Sequence, residues 1–311
     1  MKNKKNKPTK AWQLGLDFLV GQDGNVYFLE CNSSSAIVLC GIKKGKMHFD
    51  EDIDGIENYE WSIDLYCDYL IKFLKSINVN NIKYRFIFDK ELINSLDKRL
   101  SENNISISAT GIPIFCEKDY ITKENTDYWC VDKTNLQRDM NHFIPAGITP
   151  IGKKGKYDKN SVFPNFLIKP TNLQQGKGIV FYKQEEIVEK LNFLTQEFMV
   201  AKSVNSSLNY INGELIEKQH SPRLCDYRSK IIIDDLGNVG YVGTHRRTSC
   251  IDIPDNLSSG EINEKHPQYH TYLCNASANA VRTLLLEKEQ KFWEDLSIKV
   301  GKILYKLYIK K

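Results

Sequence analysis

The sequence lacks most of the short motifs by which common active sites are recognised. Its 8 cysteines form no CxxC pair and no zinc-ligand spacing, and neither a GxxxxGK phosphate loop nor a GxGxxG turn is present. No Ser–His or Cys–His arrangement indicates a covalent nucleophile. These absences exclude a structural zinc site, a P-loop nucleotide site and a Rossmann dinucleotide site of the usual kinds.

Long apolar runs and a strong charge of one sign are also missing. No run approaches the ~18 residues that a membrane-spanning helix needs, and 43 Lys and Arg against 39 Asp and Glu leave a net charge of +4. We therefore expect neither a membrane nor a nucleic-acid partner, whereas a small positive charge suits an anionic small ligand. The scattered cysteines are typical of reduced thiols, so we expect a cytoplasmic protein. The basic residues 1–10 are not followed by an apolar segment, which favours a solvated tail over a targeting signal.

The composition that remains is that of a globular protein of more than one packed unit. The chain has 311 residues, of which 41% are hydrophobic and 26% charged. A chain of this length is long for a single core, so we expect two or three units.

Residues 15–32, GLDFLVGQDGNVYFLECN, predict a β-hairpin. Asp23 and Gly24 separate two runs of alternating apolar residues, which is a strong signal for a two-residue turn. Counting outward from that turn pairs Phe18 with Leu29.

The same count places three polar residues on one face of the hairpin. Asp17 falls opposite Glu30, and Asn32 follows on the same face because side chains alternate along a strand. Two facing carboxylates in an otherwise apolar hairpin repel each other unless a cation lies between them. Two carboxylates and an amide oxygen suit Mg²⁺. The alternative is an edge hairpin with solvated acids.

The rest of the chain predicts a mixture of helices and strands. Residues 60–125 read as helix–strand–helix–strand, which indicates a small parallel α/β unit. Residues 163–183 read as strand, Gly-containing loop and strand, and residues 193–200 as a further strand. A second hairpin turns at residues 235–238, and a long helical pattern dominates residues 276–311.

Two charged groups in this second hairpin stand out. Asp226, Arg228 and Lys230 alternate along the first strand and so share a face, and Arg246 and Arg247 lie across the turn. Cations converging on one sheet suit an anionic transition state. A cross-strand ladder of ion pairs on a solvated face explains the same pattern.

A Gly-rich turn lies between the strands of residues 163–183. Lys169 closes the first strand, and Gly176-Lys177-Gly178 forms the turn, where backbone N–H groups could approach phosphate oxygens. A plain hairpin is the alternative. Glu197 ends the following strand, at an adenine-side hinge or simply as a surface acid.

Taken together, these segments resemble the ATP-grasp superfamily, particularly its glutathione-synthetase-like and ribosomal-protein-glutamate-ligase-like members. The resemblance covers about 200 residues and implies an α/β fold with α+β subdomains and a small parallel α/β pre-ATP-grasp domain. In ordinary members the metal hairpin comes last, after the long helix; here it comes first, which implies a circular permutation with adjacent termini. The alternative is that residues 1–35 are the tail of a lost upstream copy. The implied domains are 1–58 (permuted metal hairpin), 59–128 (pre-ATP-grasp), 129–199 (lid) and 200–311 (the remainder of the C-terminal subdomain).

The resemblance also implies a role for each matching residue. The nucleotide-binding residues are Lys133, Lys169, Gly176, Lys177, Gly178, Glu197, Phe198, Met199 and Lys230; the catalytic cations are Arg228, Arg246 and Arg247; the metal ligands are Asp17, Glu30 and Asn32; and Asn275 lines the acceptor side.

The activity implied is that of an ATP- and Mg²⁺-dependent ligase that joins a small-molecule or peptide carboxylate to an amine through an acyl phosphate. Two alternatives remain open. One is a non-catalytic nucleotide-binding scaffold, and the other is a kinase that stops at phosphorylation. The sequence also leaves a homodimer open.

Overall fold

A computed structural model describes thirteen stretches of the chain, and all statements of structure below concern these residues. They are residues 7–20, 26–33, 63–85, 90–115, 166–170, 180–182, 198–202, 210–211, 214–215, 223–252, 265, 280–285 and 287–310.

Strands predominate among the described elements. The strands are β1 (Ala11–Val20), β2 (Val26–Ser33), β3 (Asn81–Arg85), β4 (Ser106–Ile107), β5 (Ile112–Phe115), β6 (Phe166–Pro170), β7 (Val180–Tyr182), β8 (Phe198–Lys202), β9 (Tyr210–Ile211), β10 (Glu214–Leu215), β11 (Arg223–Asp234), β12 (Val239–Asp252) and β13 (Ala280–Leu284). The helices are α1 (Ile63–Ser76), α2 (Lys90–Ser101) and α3 (Glu287–Leu304), and a π-helical turn, Tyr305–Ile309, follows α3.

One mixed sheet of eight strands organises the fold. Its strand order is β13-β12-β11-β1-β5-β3-β4, and β2 pairs with β1 beside β5. β1 is central because it pairs antiparallel with β11 along one edge, while its other edge pairs first with β5 and then with β2. The described part of the chain is therefore of mixed α and β composition, as the sequence predicts, and its main sheet is mixed.

The β1–β2 hairpin has the predicted pairing at its polar end and a different one nearer the turn. Asp17 lies opposite Glu30, as expected, but Phe18 pairs with Phe28 rather than with Leu29. Leu29 is the extra residue of a β-bulge, which shifts the register by one. The bulge turns the Phe28 ring into the core, where it packs 5.5 Å from the ring of Phe18.

The β11–β12 hairpin turns where the sequence predicts. Residues 235–238 connect the strands, and Gly237 has a φ of +86°, a left-handed conformation that glycine adopts without a Cβ clash. The Asp234 carboxylate accepts hydrogen bonds from the backbone N–H groups of Leu236 and Asn238, at 3.0 and 2.8 Å. An aspartate that satisfies turn N–H groups in this way stabilises the turn locally.

Helices cover both faces of the sheet and define two cores. On one face α3 packs through Trp293, Leu296, Val300 and Leu304. On the other face α1 and α2 pack through a second set of buried residues, which is Tyr66, Cys67, Leu70, Ile71, Phe73, Leu74, Leu96 and Leu100. Alternation along the strands supplies both cores, since Ile231 and Ile233 belong to the first and Ile232 to the second.

Residues 63–115 form the predicted parallel α/β unit. β3 pairs in parallel with β4 and with β5. β5 itself has no counterpart in the sequence analysis, and it also pairs in parallel with the start of β1. This pairing makes the unit part of the main sheet, so residues that the sequence places in two domains share one set of strands.

The end of the chain is helical, but later than the pattern suggests. Ala280–Leu284 is strand β13, antiparallel to β12, and α3 begins at Glu287. The helical pattern read from the sequence includes these five residues. β12 offers a row of backbone groups that need partners, and Val281 and Thr283 are β-branched, so strand pairing prevails over local periodicity.

Two small sheets complete the described elements. β6 lies between β7 and β8, antiparallel to both, which agrees with the predicted strand–loop–strand and the strand after it. β9 and β10 form a short antiparallel pair.

Within the described part of the chain, none of the helices has the length and apolar character needed to cross a membrane.

Candidate functional site

The strand registers bring several of the predicted site residues into one row across four strands. Glu30 on β2 lies opposite Asp17 on β1, which lies opposite Arg228 on β11. Arg228 in turn lies opposite His245 on β12. Directly paired residues project to the same side of a sheet, so these four positions share one face.

The neighbouring rows add further charges to this face. Asp226 lies opposite Arg247, two residues from Arg228 on β11. Lys230, two residues in the other direction, lies between Gly15 and Gly243 and is 1% exposed. The N-terminal hairpin and residues 226–247 therefore lie in the same sheet.

Asp17 and Arg228 form a two-point ion pair in which Asp17 is buried and Arg228 is half-buried. Arg228 donates from Nε to Oδ1 and from Nη2 to Oδ2 of Asp17. Asp17 is 2% exposed. Nη2 of Arg247 also lies 3.4 Å from Oδ2 of Asp17. One carboxylate therefore contacts two guanidinium groups.

Asp226 holds Arg247 in the same way. Nε of Arg247 donates to Oδ1 of Asp226 at 2.5 Å, and Nη2 donates to Oδ2. Together the two pairs make an alternating series of Arg228, Asp17, Arg247 and Asp226, which we call the four-charge chain. It is a cross-strand series of ion pairs, the second interpretation that the sequence allows, but three of its residues are buried and Arg228 is half-buried, so it does not lie on a solvated face.

Burial and the neighbouring arginine act in opposite directions on Asp226. Burial raises the pKa of this carboxyl, and the charge and hydrogen bond of Arg247 lower it. Burial prevails, and the pKa of Asp226 is raised to about 6. A buried carboxyl with a displaced pKa beside a specific charge partner is a frequent feature of functional sites.

Arg246 lies on the other face of the sheet. It is paired with Tyr227 and Thr283, one residue out of step with Arg247. Both arginines are predicted as catalytic cations, but strand alternation brings only Arg247 to the face that carries Asp17 and Arg228. Arg246 is buried on the side of the sheet that α3 covers.

The residues predicted to bind Mg²⁺ fit that role only in part. Glu30 is half-buried and faces Asp17, and Asn32 lies opposite Gly15 on the same face. Asp17, however, accepts hydrogen bonds from two guanidinium groups, an environment that repels a divalent cation. No group of three or more His, Cys, Asp or Glu that could hold a metal occurs in the described part of the chain. As placed, Asp17 does not fit as a metal ligand, and the magnesium site stays a prediction.

Only part of the predicted nucleotide site is described. Lys169 pairs with Met199, and Pro170 pairs with Phe198, so the Lys-Pro strand and the hinge strand are neighbours in the three-stranded sheet. The remaining predicted residues lie outside the described residues: Lys133, Gly176, Lys177, Gly178, Glu197 and Asn275.

The sequence pattern singles out Asp226 but gives it no role. Counting back from the turn at residues 235–238 places Asp226 opposite Arg247, so hairpin geometry could have found that pair. The pairing of Asp17 with Arg228 joins residues 211 positions apart and has no local signal.

Comparison with known proteins adds no relative. No protein-family model matches the chain, and no curated protein matches it.

Proposed function

We propose that the chain is an ATP-dependent ligase that joins a carboxylate to an amine and releases ADP and phosphate. The observation that carries the proposal is the charged sheet face, on which Arg228, Arg247 and Lys230 lie beside the facing acids Asp17 and Glu30. Several cations held at low exposure on one rigid surface suit a reaction in which negative charge develops on phosphoryl oxygens.

The chemistry proceeds in two steps. A carboxylate oxygen of the acid substrate attacks the γ-phosphorus of ATP, and ADP leaves, which gives an acyl phosphate. The amine then attacks the acyl carbon and phosphate leaves, so that a C–N bond forms and a proton is released. In this proposal the chain contributes position and charge, without a covalent enzyme intermediate.

Arg228 and Arg247 would bind the transferring phosphoryl group. A guanidinium is planar and presents paired N–H donors that match two oxygens of a phosphate or carboxylate. Lys230 adds a point charge on the same face, two residues from Arg228 along β11. Mg²⁺ is proposed as an ATP-bound cofactor that neutralises phosphate charge, and Glu30 is the half-buried acid best placed to meet it.

The arrangement of the chain supports a permuted ATP-grasp-like order. Thr9 donates its backbone N–H to the Asp235 carboxylate at 3.0 Å, and the Tyr305 hydroxyl donates to the Asp235 carbonyl oxygen at 3.3 Å. Residues 9 and 305 therefore meet at one turn, as the permuted order requires. We retain a cytoplasmic location as part of the proposal, on the cysteine usage alone.

A second candidate function is favoured by a specific observation. In the four-charge chain each aspartate is matched by an arginine, so these four residues carry no net charge. A surface whose charges compensate each other serves stability and shape, which suits a non-catalytic scaffold.

The test is ADP release from ATP and Mg²⁺ with amino acids and peptides as substrates, together with mass spectrometry of the products. We expect Arg228→Ala and Arg247→Ala each to lower the rate by about a hundredfold, as loss of a transition-state donor does, with a much smaller change in ATP affinity. Arg99→Ala, which removes a partly exposed arginine of α2 that pairs with Asp68, is the matched control and should leave the rate unchanged.

Three outcomes distinguish the functions. A product that requires both acid and amine supports the ligase. ADP release with the acid alone and a stable phosphorylated product would identify a kinase. No ADP release with any pair would identify a scaffold.

A further inference from the structure

We propose that Asp17 is a positioning residue that holds Arg228 and Arg247 together as one paired cation for a phosphoryl-type dianion. This inference rests on the proposed function, because it takes the two arginines as the groups that bind the anion. It assigns Asp17 a role that differs from the metal ligation expected from the sequence.

Two positive charges, those of Arg228 and Arg247, approach each other closely at Asp17. Arg228 comes from β11 and Arg247 from β12, and both guanidinium groups contact the same carboxylate. Two buried guanidinium groups repel each other strongly when nothing negative lies between them, because the low dielectric of the interior weakens screening. Asp17 lies between them, so its negative charge allows the two guanidinium groups to lie close together.

Hydrogen bonds to the two aspartates also fix the orientation of the guanidinium groups. Asp17 accepts from Nε and Nη2 of Arg228, and Asp226 accepts from Nε and Nη2 of Arg247. Each arginine is thus held through Nε and Nη2, and Nη2 of Arg247 also reaches Asp17. These bonds fix the orientation of both planar guanidinium groups, and fixed planar donors are what geometric recognition of phosphate needs.

Asp17 is also poorly suited to bind a metal ion, because arginine donors already occupy its oxygens. A carboxylate has about four lone-pair positions, and three hydrogen bonds from the two arginines already reach the oxygens of Asp17. A divalent cation at Asp17 would have to displace one of these arginines.

The experiment uses the sign of the effect on anion binding. Binding of inorganic pyrophosphate to the full chain is measured by isothermal titration calorimetry at pH 8, with EDTA present and no metal. Asp17→Asn removes one negative charge, so simple electrostatics predicts tighter binding. If Asp17 only ligated a metal, Asp17→Asn would not weaken pyrophosphate binding in the absence of metal. Positioning predicts weaker binding, and we expect a loss of about tenfold or more, because charge-assisted hydrogen bonds that orient both arginines are lost.

Asp295→Asn is the matched control. It also removes one negative charge, but from an exposed residue of α3 that pairs with Lys291, so it should leave pyrophosphate affinity unchanged. If Asp17→Asn does not fold, as judged by circular dichroism, Asp226→Asn takes its place. It releases Arg247 from the other side and should weaken binding in the same direction.

Equal or tighter binding by a folded Asp17→Asn, or by Asp226→Asn where that variant is the one tested, would overturn the inference. So would a wild-type chain that does not bind pyrophosphate, because the arginines would then not form a ready anion site. The measurement contains no ATP, acid or amine. Failure of the ligase proposal in the ADP assay is therefore distinguishable from failure here.

Discussion

Asp226 shows at the residue scale how burial sets the behaviour of a charge. Its carboxyl is enclosed opposite Arg247, and its pKa is raised from the usual 3.8 to about 6. A group whose pKa is higher in the folded state than in the unfolded state binds its proton more tightly when folded. The stabilisation that follows is complete below about pH 4 and is lost as the pH rises through 6.

We therefore predict a pH dependence that Asp226→Asn removes. Between pH 4 and 7 the unfolding free energy of the wild type, minus that of Asp226→Asn, should fall by on the order of 2 kcal/mol, since one pKa unit corresponds to about 1.4 kcal/mol. Urea denaturation at pH 4, 5, 6 and 7 measures this difference. A difference that rises with pH would show that Arg247 lowers the pKa by more than burial raises it.

At the scale of elements, the contact between α1 and β12 determines how the helix lies on the sheet. Gly240 of β12 comes so close to Phe73 of α1 that a Cβ at residue 240 would lie 2.3 Å from ring atoms Cγ and Cδ2. Phe73 is 5% exposed and belongs to the second core. The absence of a side chain at residue 240 is thus what lets the aromatic ring reach the sheet.

This contact predicts that Gly240→Ala and Phe73→Ala partly compensate each other in their effect on unfolding free energy. Gly240→Ala should cost about 1–3 kcal/mol of unfolding free energy through overpacking, and Phe73→Ala about 3–5 kcal/mol through the cavity. The double variant should cost clearly less than the sum, because the new methyl group occupies space that the ring leaves. Urea denaturation of the four proteins measures the coupling. Additive costs would show that the two residues do not interact.

Local signals in the sequence predicted the elements that have them. Asp23-Gly24 between apolar runs located the first hairpin, and the helical period of α1 and α2 located those helices. β13 and β5 were missed because their identity depends on partners distant in sequence, β12 for one and β1 and β3 for the other. The bulge at Leu29 follows from the competition of Phe28 for the core, which a count from the turn does not contain.

At the scale of the whole molecule, two cores share one sheet. Ile114 of β5 packs in the core of α1 and α2, and the next residue, Phe115, packs in the core of α3. The two cores use alternate residues of the same strands. Loss of packing on one face would therefore expose that face of the strands that also form the other core. Residues 63–115 are therefore expected to unfold together with the rest of the main sheet.

A distant substitution tests this expectation. Leu100→Ala in α2 should cost about 2–5 kcal/mol and should lower the urea midpoint reported by Trp12 and Trp293, both in the core of α3, as much as the midpoint from circular dichroism. Trp61→Phe and Trp129→Phe in the background leave only these two tryptophans as reporters. An unchanged tryptophan midpoint would show that residues 63–115 unfold independently.

The site follows the same division between local and distant information. The facing of Asp17 and Glu30 is a property of one hairpin and was predicted correctly. The choice of Arg247 over Arg246 depends on the register of β11 with β12, which no composition or spacing rule settles without the turn geometry. The ion pair of Asp17 with Arg228 requires β1 to lie beside β11, which is a fact of topology.

The turn at residues 235–238 joins two distant parts of the chain at one corner. Asp235 accepts from Thr9 and donates its backbone N–H to the Lys10 carbonyl at 3.1 Å, while Tyr305 reaches the carbonyl of the same residue. A force that separates residues 9 and 305 would load this corner first and then the β1–β11 ladder one rung at a time, starting at the pairing of Ala11 with Asp234. In this geometry the paired residues of β1 and β11 separate one pair after another and not all at once. We therefore expect the molecule to open at a low force, although a force along the strands would have to break many pairs together.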